Sequence, residues 1–250
     1  MKTTSRKRLL VSSVAMLLVA MLALGTATYA WFTSNTTATA SGINVKTIKS
    51  SELQISKSDK DWDTQIDYGV ANKTFIPAST ANGTAWFTAN AEDRTSFEKP
   101  VDEQFSSITD GANYYFAEQL NVRNAGQADV ENVTISISGI NNDYIRVAVV
   151  EANDSGLGTG DFTASVYDNA GAAYDAASAA DSTTKITPST NYTINVGTLA
   201  GGETADAGEA KYYNIYVWFE GQDAQCVDAN AGQSVDIDFT VTGDTVDQLG

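Results

Sequence analysis

The chain contains no histidine. That single absence removes the Ser/His/Asp triad, the Cys/His dyad and the HExxH zinc-protease motif, because each needs an imidazole as base or metal ligand. The lone cysteine, Cys226, sits in "EGQDAQCVDA". Acidic neighbours disfavour a thiolate, so Cys226 reads as a packed or loop residue rather than a nucleophile. Asp59, Asp61 and Asp63 in "SDKDWDTQIDYG" stand at calcium-loop spacing. The pattern then fails, with Thr64 where Gly is needed and Val70 where a bidentate Glu belongs, and a solvated acidic loop is expected. Asp223 and Asp228 form a fainter acidic pair of the same kind. Among 31 acidic residues some carboxylate pair always suits glycoside hydrolysis on paper, so no pair is singled out. The expectation is a chain that is not an enzyme, with no catalytic residue, no metal site and no cofactor. Trp62, Trp86 and Trp218 remain as candidate sugar platforms, although isolated tryptophans in such folds more often serve the core.

The elements that would position these residues begin after a separate N-terminal segment. Lys2, Arg6, Lys7 and Arg8 precede an apolar run, Leu9 to Leu24, that is short for a bilayer span of about 20 residues. Small residues follow at Thr28-Tyr29-Ala30, so residues 1–30 read as a signal peptide cut between Ala30 and Trp31, with Ala27 as an earlier alternative. The rival is an uncleaved anchor extended through Ala27, Tyr29, Trp31 and Phe32. A type IV pilin junction would need a Gly after the basic head, and none follows Arg8. The chain shows no lipobox cysteine, sortase-type motif or apolar tail, so no stable membrane anchor is expected after cleavage. Removing residues 1–30 leaves 11 basic residues against 31 acidic ones, a net charge near −20. A surface of that sign repels nucleic acid and anionic lipid, which excludes a nucleic-acid partner.

With one cysteine there is no internal disulfide framework, so stability must come from a core. Period-two alternation supplies one. "NVTISISGI" turns Val133, Ile135 and Ile137 to one side, and "SVDIDFTVTG" does the same with Val235, Ile237, Phe239 and Val241. "YYNIYVWFEG" is apolar on both parities from Tyr212 to Phe219, which predicts a central strand covered on both faces, or one whose second face meets a partner. Further strands are expected in "GINVKTI", "ELQIS", "YYFAEQLNVRNAG", "DYIRVAVVEA" and "YTINVGTL". The expected fold class is all-β, an antiparallel jelly-roll-like sandwich over residues 42–250. Irregular insertions are expected near 59–110 and 153–185, and the Ala-rich stretch 170–182 is read as a short surface helix.

Between the cut and this domain lies an uncharged, Thr-rich tract, residues 31–41, joined through Gly42 as a possible hinge. Such a tract suits strand addition to a sheet edge, with Trp31-Phe32 as its anchor; the plain alternative is a disordered tail.

The junction "TYAWFTSNTTATASG", the segment "YYFAEQLNVRNAGQADVENVTISISG", and "YVWFEG" with the terminal "GQSVDIDFTVTG" resemble the TasA and camelysin family of secreted bacterial matrix proteins. Residues 50–110 and 150–210 carry no matching motif. The resemblance implies a jelly-roll subunit, released by a signal peptidase, that polymerises into extracellular biofilm fibres with itself and with other matrix proteins. It also implies that the mature N-terminal segment, here Trp31, Phe32, Thr33, Thr36, Thr37, Ala38 and Thr39, pairs as a donor strand in the next subunit. A metalloprotease activity attached to some of the family does not fit a chain without histidine. The other function class is a monomeric secreted binding module or hydrolase acting on cell-surface or matrix carbohydrate.

Overall fold

A computed structural model of the chain describes residues 38–48, 53–58, 60–70, 73–89, 105–223, 225–226 and 234–246. The expected signal peptide 1–30, the part of the expected donor segment from Trp31 to Thr37, Asp59 and Asp228 lie outside them. What is described is almost entirely β-structure, interrupted by two single-turn 3-10 helices at Gly111–Asn113 and Thr163–Ser165.

Two large sheets organise the chain. The first runs in the order β13 (Thr193–Leu199), β8 (Val130–Ser138), β15 (Ser234–Thr245) and β1 (Ala38–Ile48). The far side of β1 is shared by β3 (Gln65–Asp67) and β4 (Lys73–Phe75). The second runs β10 (Val166–Tyr167), β9 (Ile145–Ala152), β14 (Ala210–Phe219), β7 (Tyr115–Asn124) and β2 (Leu53–Ser56). From β7 onward the long strands alternate between the sheets, so each crossing carries the chain over the same core. One apolar cluster draws on both sheets, with Ile43, Val133, Ile135, Ile237, Phe239 and Val241 from the first and Leu120, Val122, Ile145, Val147, Ile215 and Val217 from the second. Val133, Ile135 and Ile137 of β8 and Ile237, Phe239 and Val241 of β15 therefore stand in the core where the sequence predicts them.

Among the described strand pairs all are antiparallel except β1 with β15, which run parallel. Parallel neighbours need a long connection. These two have nearly the whole chain between them, so the constraint costs nothing locally. At the corner between β8 and β9, Gly139 takes φ +92°, and a Cβ there would lie 1.8 Å from the Asp236 carbonyl oxygen. Only glycine permits that approach of the turn to β15.

The central strand of the second sheet is β14, flanked by β9 and β7. Its odd-numbered residues Tyr213, Ile215, Val217 and Phe219 enter the shared core. Its other face is covered by the chain's own insertions around Trp218, while Tyr212, Asn214 and Tyr216 stay half-buried. Trp218, with Ala148 and Val150 of β9, packs on Ala78, Trp86, Phe162, Val166, Tyr174, Ala176 and Ile186. The stretch expected as a helix is a β-hairpin instead, β11 (Tyr174–Ala179) with β12 (Ser182–Ile186). Burial explains the change: Ala176 and Ala177 are fully enclosed, the first in that aromatic cluster and the second beside Phe87 and Phe105. Packing of small side chains into a tight layer outweighs alanine's intrinsic helix preference. Within the other insertion, β5 (Phe87–Ala89) pairs with β6 (Phe105–Ser107). Together with β3 and β4 it gives the described part of 59–110 more regular structure than an irregular connection.

Candidate functional site at the start of strand β1

The N-terminal tract enters the described fold at Ala38, the first residue of β1. Of the expected donor residues, Ala38 and Thr39 lie in this strand. The backbone register places Ala38, Thr39 and Ala40 beside Phe75, Thr74 and Lys73 of β4, and Thr39 and Ala40 beside Ser234 and Val235 of β15. Ser41 interrupts the ladder, because the register with β15 shifts between Ala40 and Gly42. The extra residue is a β-bulge, which bends a strand and breaks its pairing locally.

Beyond the bulge β1 is held more extensively. Gly42 to Ile48 continue along β15 from Asp236 to Thr242, and Asn44 to Lys46 pair with β3. Ile43 is fully buried, and its carbonyl accepts a hydrogen bond from the Tyr68 amide at 3.2 Å. The Tyr68 ring meets Phe116 edge-on, and its hydroxyl donates to the Gln119 carbonyl at 2.6 Å. Burial, followed by the charge of Glu118, raises the Tyr68 phenol pKa, so it stays a neutral donor. Gly42, the expected hinge, is a buried residue inside the strand opposite Asp236. The break in regularity falls one residue earlier, at Ser41.

The sheet edges are short or irregular. β10 has two residues and β2 four, and the outer side of β2 is closed by reciprocal hydrogen bonds between Ile55 and Asp63 at 2.8 and 2.9 Å. β13 is an outer strand of the first sheet, but its register breaks at two places and Gly197 takes φ +96°. Such features blunt an edge against unplanned pairing.

The sequence candidates for chemistry are scattered. Trp86 and Trp218 are buried packing groups, their rings edge-on with centroids 5.5 Å apart. Neither offers a face to a sugar. Trp62 is half-buried under the Arg123 guanidinium, 4.4 Å from its ring centroid. Cys226 is buried. Asp61 and Asp63 are exposed, and Asp63 Oδ1 accepts from the Thr64 amide at 2.6 Å. Asp223 forms an ion pair with Arg146. A shallow groove of about 270 Å³, lined by Ala117, Glu118, Gln119, Gly156, Asn214 and Tyr216, crosses β7 and β14. Among the described residues no helix is long and apolar enough to cross a membrane.

No protein-family model matches the chain, no curated protein matches it, and no solved structure matches it.

Proposed function

We propose that the chain is a secreted structural subunit, a jelly-roll-like β-sandwich, that builds an extracellular fibre or biofilm matrix by passing residues 31–41 as a strand to the next copy. The observation that carries the reading is the division of β1 at Ser41. Upstream, Thr39 and Ala40 pair between β15 and β4 and Ala38 pairs with β4; downstream, the strand is fixed by β15, β3 and the buried Ile43. A segment that changes partner needs such a boundary, since the domain must keep its fold when the segment leaves. Alternation of the long strands between two sheets supports the jelly-roll-like assignment. In this reading the protein is not an enzyme. Its partners are itself and other matrix proteins, with a signal peptidase acting at Ala30-Trp31 during export.

The energetics place assembly near balance. Burying Trp31 and Phe32 in a neighbour contributes about 1.5–3 kcal/mol for each side chain of that class, and each main-chain hydrogen bond adds about 0.5–1.5 kcal/mol net. Ordering each residue costs about 1–2 kcal/mol. Assembly should therefore depend on concentration and conditions. The test compares chains starting at Trp31 and at Ser41 by size-exclusion chromatography and negative-stain microscopy. The longer chain should form fibres; the shorter one should fold, because its lost pairing involves only Ala38 to Ala40, and stay monomeric. Equal polymerisation of the two would reject strand donation, and a monomeric Trp31 chain would reject the fibre.

A further inference from the structure

The second face of β9 and β14 holds ionisable groups that the assembly reading does not use. Arg146 of β9, Asp168 and Glu220 are all buried, with Arg146 only 1 % exposed and both acids fully enclosed. Arg146 Nη2 donates to Asp223 Oδ2 at 2.7 Å, and Nη1 lies 3.3 Å from Asp168 Oδ2. Nη1 also donates to the Asp143 carbonyl, and the guanidinium stacks 4.6 Å from the Tyr174 ring centroid. Asp168 Oδ1 accepts from the Ala170 and Gly171 amides. Burial alone would lower the Arg146 pKa, but Tyr174, Glu220, Asp168 and Asp223 outweigh it and hold the guanidinium above its ordinary value.

Glu220 immediately follows β14, and among the described residues no cation makes an ion-pair contact with it, although the Arg146 charge acts on it. Its Oε2 accepts from Trp218 Nε1 and its Oε1 from the Gln222 amide, both at 3.0 Å, and the Ser79 hydroxyl also bonds to it. Three layers meet here. The Glu220 amide donates to the Tyr144 carbonyl, the Gly221 amide to Ala78, and the Ala177 amide of β11 to Ser79 Oγ. The groups acting on Glu220 are Arg146 from β9, Tyr174 from β11 and the neutral Ser79 and Trp218, while Asp168 from the turn after β10 and Asp223 from its own loop meet the same guanidinium.

One guanidinium thus confronts three carboxylates, of which Asp168 and Glu220 are fully enclosed and Asp223 stands at the partly exposed rim. Asp168 and Asp223 contact it directly, which leaves Glu220 as the acid whose hydrogen-bond donors among the described residues are neutral. An unpaired carboxylate is costlier to bury than a carboxylic acid. We propose that Glu220 is a proton-operated latch: protonated, it fastens its own residues 220–223 and the β11–β12 hairpin to the outer face of the second sheet, and ionised, it loosens them. Burial raises its pKa from 4.5 to about 7, with Ser79, Trp218, Arg146 and the Gln222 amide restraining the rise. The folded chain therefore binds this proton more tightly than the unfolded chain. Between those two values the folded state holds more protons, so this group's contribution to stability is full at low pH and is lost as pH rises through about 7.

The latch operates whether or not the chain assembles. Its test has two readouts on the folded protein. In wild-type chain the Trp218 indole N–H resonance, which reports the donor to Oε2, should shift with pH with a midpoint near 7. Denaturant unfolding from pH 5 to 8 should show the wild-type folding equilibrium falling on the order of 10²-fold relative to Glu220→Gln, which carries no titrating group there. A fixed indole resonance, or stability curves that run parallel, overturns the latch. Should Glu220→Gln not fold, the wild-type indole titration decides alone.

Discussion

The two faces of β14 are built on opposite principles. Ile215 and Val217 look into an interior of aliphatic and aromatic side chains contributed by both sheets, where fit is a matter of shape. Trp218 looks the other way, into a layer where aromatic rings surround one arginine and three acids. The inner face is held by the non-directional removal of apolar area from water. The outer face needs each donor and charge to meet a partner, because an unmatched one in a dry layer costs more than a made bond gains. Shape errors inside should therefore destabilise the whole domain, and charge errors outside should act first on the layer that covers it.

The largest effect is expected at Phe239. It is fully buried in the cluster shared by both sheets, on the strand that joins β8 to β1. Phe239→Ala should cost about 3–5 kcal/mol, measured by urea unfolding with tryptophan fluorescence and far-UV circular dichroism in a single coincident transition. A cost below about 1 kcal/mol would mean that the cluster collapses around the missing ring, and the contrast between the faces would fail.

Arg146 gives the outer-face counterpart. Arg146→Met keeps much of the side-chain volume but leaves Asp168 enclosed without a cation. Removing one partner of a buried pair costs about 3–5 kcal/mol; the lower end is expected because Asp223, the other partner, is 15 % exposed and can be rehydrated. Double replacement, Arg146→Met with Asp168→Asn, should recover part of the loss. Hydrogen exchange should show β11 and β12 opening before β8 and β15 in the single variant. Simultaneous opening of all four strands would show that the layer is no separate unit.

The same contrast separates what the sequence reveals from what it does not. Val133, Ile135 and Ile137, or Ile237, Phe239 and Val241, repeat every second residue, so a one-sided strand is visible without any partner. Apolar residues on both parities likewise mark β14 as central, although not what covers its second face. Arg146 in "DYIRVAVVEA" looks like a solvent-facing position, because its acids come from residues 168 and 223, far along the chain. The alanines of β11 look helical, since only the aromatic layer above them gives small side chains a reason to be extended. Parallel pairing of β1 with β15 leaves no local trace for the same reason. In the candidate site, composition marks an uncharged tract that ends near residue 41 with Gly42 as its expected hinge, but the bulge at Ser41 leaves no mark in the sequence, because it is set by pairing across the sheet.

The smallest effect is expected where an ion pair lies on the same hairpin but in water. Lys185 Nζ of β12 stands 3.3 Å from Asp175 Oδ1 of β11, with side chains 65 % and 47 % exposed. The two residues are direct cross-strand partners. Their attraction is weakened by solvent, and holding a long lysine side chain in one geometry costs rotamer entropy, so exposed pairs of this kind contribute about 0.2–1 kcal/mol. Lys185→Ala should therefore lower stability by less than about 1 kcal/mol. The difference should shrink further at 1 M salt, where the screening length falls to about 3 Å. Arg146→Met should keep most of its cost in the same salt, because ions do not enter the layer that encloses Asp168. A loss at Lys185 as large as that at Arg146 would place the pairing energy of the hairpin on its surface, and burial would no longer explain why the outer layer depends on its charges.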